Sequence, residues 1–107
     1  MDRQAIKRRW EEVELMIKKP GEMTDKVAIL EADKLLDQVL KSMTMPGQTM
    51  GERLKVASYK YPELSKVWWA HKLRNQLVHE ASFSISCRNA KAAIRAYERA
   101  LKQLGLL

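Results

Sequence analysis

One cysteine, four glycines, three prolines and a single phenylalanine in 107 residues put several kinds of protein out of reach. Cys87 has no second thiol in the chain with which to form a disulfide, and one cysteine cannot build a Cys-rich zinc centre. No glycine-rich phosphate loop is present, which excludes nucleotide hydrolysis of the P-loop kind. No apolar run approaches the ~20 residues needed to cross a bilayer, so no membrane insertion is expected. The opening stretch from Asp2 to Trp10 carries charge but no apolar core and no small-residue cleavage site, so it does not read as a signal peptide. The expected location is cytoplasmic. No internal repeat, low-complexity segment or long linker divides the chain, and residues 1–107 read as one domain.

What is present points to helices. Hydrophobic residues make up 46% of the chain, too many for a disordered segment, and charged residues make up 31%. With so little Gly and Pro, a composition rich in Ala, Leu, Lys, Glu and Arg predicts an all-α domain. The formal net charge is +7. From Pro62 onward eight Lys and Arg face only Glu63, Glu80 and Glu98, so +5 of that charge lies in the second half. A phosphate-bearing partner is the natural inference, and a solvated basic surface is the plain alternative.

Periodicity predicts an antiparallel bundle of four long helices plus one short helix. The first spans about Asp2–Lys19, with Ile6, Trp10, Val13 and Ile17 on one stripe, and stops at Pro20-Gly21. The second starts from Thr24 as N-cap and carries Ala28, Ala32, Leu35 and Val39 inward. A short third helix starts from Thr49, where Glu52 completes a capping box. The fourth is expected from Pro62, in the first turn, to about Glu80. A loop over Ala81–Ser86 tucks in Phe83 and Ile85. Ser86 then caps a fifth helix with Ala90, Ala93, Ile94, Tyr97, Leu101 and Leu104 inward, ended by Gly105.

The most informative stretch is Arg74-Asn75-Gln76-Leu77-Val78-His79. It sets an always-charged anion binder and a polar amide near a side chain that titrates close to neutral pH. On a straight helix Asn75 and His79 share a face, but Arg74 and His79 lie ~140° apart around the axis and ~7.5 Å apart along it. For both to meet one phosphate, the last turn must unwind, the arginine must bend around, or two chains must contribute.

This segment resembles the HEPN family of all-α domains, whose signature is an arginine, a polar residue and a histidine a few residues on. Arg74, four residues beginning with Asn75, and then His79 match it. An aromatic-led helix before the motif, Glu80 directly after it and a long final amphipathic helix match the context, and the resemblance extends over residues 24–104, with residues 1–19 as an added N-terminal helix. It implies a metal-independent endoribonuclease that works as a homodimer with both motifs at the interface, often a toxin or defence effector. Other members of the family bind nucleotides or RNA without cleaving, or serve as partners of nucleotidyltransferases, which here would act as the antitoxin. The roles that follow are phosphate binding for Arg74, orientation of His79 or donation to the phosphate for Asn75, and proton transfer for His79. No metal or cofactor is implied, and DNA lacks the 2′-OH that the reaction needs.

Other residues are weighed beside these. Lys72, Arg88 and His71 are the expected auxiliary contacts to RNA or phosphate, although a packed helix histidine is the commoner role for His71. A zinc site from His71 and His79 fails, because eight residues of helix separate them by ~12 Å. Glu31, Asp33 and Asp37 read as surface charge, with pairing to Arg74 across the bundle as the alternative. Trp68 and Trp69 point ~100° apart. One belongs to the core, and the other either packs a partner or stacks a base. Cys87 reads as a small structural residue, and the methionines as gap fillers. A third reading makes the chain a helical interaction domain of a longer protein, with the motif only stabilising a helix end.

Overall fold

A computed structural model describes residues 2–107. The described residues are all-helical: α1 (Arg3–Lys18), α2 (Glu22–Ser42), α3 (Met50–Lys60), α4 (Trp68–His79) and α5 (Cys87–Gln103), with a 3-10 segment over Pro62–Val67. They contain no strand. None of the described helices is long and apolar enough to cross a membrane.

The core forms where the apolar stripes meet. Helix α2 is the central element and packs against all four other α-helices, most extensively α1 and α5. Its Ile29, Leu35, Leu36 and Val39 are fully buried and share one core with Ile6 of α1 and with Ile94, Tyr97 and Leu101 of α5. In α5 the alanines at 90, 93, 96 and 100 are buried beside those larger residues. Small side chains there let helices approach closely without opening voids.

Two elements depart from the sequence expectation. Helix α2 starts at Glu22 behind Gly21, so Thr24 is not its N-cap. Thr24 lies in the first turn, where its hydroxyl donates to the Gly21 carbonyl at 3.0 Å. The expected fourth helix is also divided, which leaves α3 and α4 as two short helices beside three long ones. From Pro62 to Val67 the chain winds as a 3-10 turn, and α-geometry begins only at Trp68. A 3-10 winding stacks residues three apart, and it puts Leu64 and Val67 together into the core. Ser65 Oγ donates to the Pro62 carbonyl at 2.8 Å, an i−3 bond that suits the tighter turn.

One loop fixes the start of α3. Buried Arg53 donates twice to Asp37 of α2, at 2.7 and 3.2 Å, and once to the Gly47 carbonyl at 2.8 Å. Gly47 has φ +150°, and a Cβ there would come within 2.8 Å of the Arg53 backbone nitrogen. Only glycine fits that turn, and the turn holds the first residues of α3 toward α4.

Candidate functional site

The Arg74–His79 stretch lies wholly on α4, which stays helical through His79 and is capped by Glu80. The last turn therefore does not unwind. Even so, Arg74, Asn75 and His79 line the same solvent-open cleft of about 480 Å³. Trp68, His71 and Lys72 complete its α4 wall. The arginine turns along the helix surface: its Nη1 donates to Asn75 Oδ1 at 3.1 Å. Asn75 thus braces Arg74 with its carbonyl, where orientation of His79 was also expected of it. His79 is exposed at the cleft mouth.

Beneath the cleft lies a buried polar cluster organised by Asp33 of α2. Asp33 is 2% exposed and is not the surface charge that α2's acidic pattern suggests. Its Oδ1 accepts from Tyr97 Oη at 2.7 Å and meets His71 Nδ1 at 2.9 Å. Its Oδ2 faces Arg74 Nε at 3.6 Å. That Nε is buried and makes no hydrogen bond, so Arg74 is held at its stem by charge alone. A buried carboxylate needs such partners, because an isolated one in the core is prohibitively costly. Burial, and then the Asp33 carboxylate beside it, push the Tyr97 hydroxyl well above the ordinary phenol range. Tyr97 therefore stays protonated and remains a donor to Asp33. Arg74 keeps 35% of its side chain exposed, so its ion pair does not withdraw it from the cleft.

The opposite wall comes from the beginning of α3. Thr49, Met50 and Gly51 line the cleft facing α4. Thr49 Oγ1 accepts from Glu52 N at 3.2 Å, the first half of the expected capping box, while Glu52 Oε2 accepts from Gln48 N at 2.6 Å, one residue before the N-cap and not from Thr49 N. The first amides of a helix have no partner within it, and the helix dipole makes that end favourable for anions. Gly51 keeps the backbone bare: a Cβ there would stand 3.5 Å from both His71 Nε2 and Trp68. Sequence reasoning recognised the cap at Thr49 but did not connect it to Arg74. The positive end of α3 was the available signal.

The other expected residues are distributed unevenly. Lys72 lines the cleft, with its Nζ 5.8 Å from the centre of the Trp68 ring. His71 reaches the cleft with one edge, but it is 5% exposed and bonded to Asp33, which makes it first a packed histidine. Arg88 is exposed in the first turn of α5, outside the residues that line the cleft. Trp68 is half-buried and Trp69 is 44% exposed. Cys87 is an exposed free thiol. Among the described residues no group of three or more His, Cys, Asp and Glu side chains is placed to hold a metal ion.

Chemically, the cleft offers a guanidinium, an ammonium and the start of a helix for an anion, and an exposed imidazole for proton transfer at its edge. No family model matches the chain, and no significant match to a curated protein or to a solved structure was found.

Proposed function

We propose that this chain is a metal-independent endoribonuclease of the HEPN type that acts on single-stranded RNA. The observation that carries the reading is that Arg74, Asn75 and His79 line one open cleft, with Lys72 beside them and the α3 N-terminus opposite. In this reading Arg74 holds the scissile phosphate and offsets charge gathering on its oxygens during attack. His79 accepts the proton of the ribose 2′-OH as the oxygen attacks phosphorus. The bond from phosphorus to the 5′-oxygen then breaks, and that oxygen takes up a proton. The products are a 2′,3′-cyclic phosphate and a 5′-OH. Two copies of the chain pairing through α4 would let their two His79 side chains divide the base and acid roles. The exposed Trp69 and Val78 of α4 give such a pairing apolar surface to bury.

The test is incubation of purified protein with single-stranded RNA in excess chelator, with the product ends analysed. Wild type should yield cyclic phosphate ends, and His79→Ala and Arg74→Ala should each lose on the order of 10²-fold or more in rate. Equal cleavage by all three proteins refutes the assignment.

A second reading has its own supporting observation. The Asn75 carbonyl is bonded to Arg74, and no hydrogen bond joins Asn75 to His79 among the described residues. A non-catalytic module that binds RNA or a nucleotide, or that docks a nucleotidyltransferase-type antitoxin, needs only the cationic part of the cleft. It gives salt-sensitive binding without turnover, weakened by Arg74→Ala and unchanged by His79→Ala.

A further inference from the structure

Beside the Arg74 cleft lies a second one, of about 510 Å³, lined by Lys55, Ser58 and Tyr59 of α3 with Ser65 and Trp68. Trp68 lines both clefts, which makes them neighbours across that residue. Tyr59 is 79% exposed, an aromatic side chain left almost wholly in water. Lys55 and Tyr59 are one helical turn apart and share a face of α3. Lys72 lies against the ring of Trp68. Among the described residues, neither cleft has an acidic side chain in its lining.

We propose that the second cleft is a base-stacking subsite for the same single-stranded RNA whose phosphate lies at Arg74. The proposal rests on the phosphate reading of the first cleft and extends it to the neighbouring nucleotide. Sequence-tolerant binding of single strands combines a cationic track for the backbone with aromatic faces on which bases stack. Tyr59 and Trp68 supply the faces and Lys55 and Lys72 the track; the Ser58 and Ser65 hydroxyls donate to the Leu54 and Pro62 carbonyls and so offer a base edge acceptor oxygens only. Gly51 and Tyr59 are ~12 Å apart along α3, so a strand held at the helix start can lay a flanking base across the Trp68 ring. The cations and the lack of acidic lining favour a polyanion over the apolar face of a helix as the occupant. A duplex keeps its bases stacked internally and cannot use the subsite.

The experiment uses the full chain and a labelled 2′-O-methyl RNA strand of about ten nucleotides, within the footprint of small single-strand binders. Such a strand has no free 2′-OH, so cleavage does not intrude. It is compared at low salt with a matched strand carrying abasic positions, which keeps every phosphate, and with the duplex. Wild type is expected to bind the base-bearing strand about tenfold tighter than the abasic strand or the duplex. Tyr59→Ala should remove most of that difference, and Tyr59→Phe, which keeps the ring, should preserve it. Equal binding of base-bearing and abasic strands overturns the subsite, provided that Arg74→Ala still weakens both. If Arg74→Ala changes neither, the phosphate reading itself fails, and the two failures are thereby told apart. A Tyr59→Ala protein that turns from dimer to monomer in sedimentation, with no strand discrimination in wild type, would show a second copy covering the patch and would also overturn the proposal.

Discussion

Replacing Asp33 with alanine should be among the most damaging single substitutions in this protein. The carboxylate is buried, accepts from Tyr97 at 2.7 Å, meets His71 at 2.9 Å and faces Arg74 at 3.6 Å. Its removal strands the Tyr97 hydroxyl and the His71 ring nitrogen in the core. Each donor left without a partner costs about 1–3 kcal/mol. The Arg74 stem also loses its counter-charge, but the arginine keeps 35% of its side chain in solvent, so that loss adds only about 1 kcal/mol or less. These figures describe overlapping losses, so the expected total is about 3–5 kcal/mol. For a chain of this length each kcal/mol moves Tm by roughly 4–6 °C, which predicts a fall of about 12–30 °C. Thermal and urea melts followed by circular dichroism read this directly. Asp33→Asn keeps the shape and one acceptor oxygen, and should cost less. In folded Asp33→Asn protein at low temperature, the affinity for single-stranded RNA should fall because Arg74 is no longer held from below. A loss under about 1 kcal/mol for Asp33→Ala would refute the argument that Asp33 organises the cluster.

Further outcomes follow from the same geometry. Because burial and Asp33 raise the Tyr97 hydroxyl well above the phenol range, the native state holds its proton after the unfolded chain, at about 10, has released it. That contribution to stability is full below pH 10 and is lost as pH rises through the folded value, so Tyr97→Phe should flatten the alkaline fall in Tm. The same variant should delete a late component from the phenolate absorbance titration and cost about 1–2 kcal/mol at neutral pH. Thr49→Ala removes the side-chain acceptor of the α3 cap and should cost about 1 kcal/mol, with Thr49→Ser restoring it, as measured by urea melts.

How much of this was legible in the sequence depends on the range of the interaction concerned. The stripes of α1 and α5, the stop at Pro20-Gly21, the cap at Ser86 and the cap at Thr49 rest on contacts within a few residues, and they stand where periodicity and capping chemistry put them. The start of α2 was misplaced because Thr24 is a good cap by composition, while its hydroxyl serves the turn at Gly21 instead. The division of the fourth helix was hidden because Leu64 and Val67 suit either winding until the core selects one. Arg74, Asn75 and His79 were readable as a motif, but their ideal angular spacing left open whether an unwound last turn, a bent arginine or a second chain would bring them to one cleft. The bond from Arg74 to Asn75 supplies the bend that a helical wheel does not contain.

The sequence alone determined an all-helical chain, a basic second half and an Arg–Asn–His stretch near the end of a helix, because helix periodicity, net charge and capping are local properties. Tertiary structure decided that Asp33 is a buried anchor and not a surface charge, that the start of α3 faces α4, and that Trp68 joins two clefts. Asp33 lies 38 residues from His71 and 64 from Tyr97. Contacts across such separations are fixed by how helices pack, and the burial of a carboxylate cannot be inferred until the groups that neutralise it are in place around it.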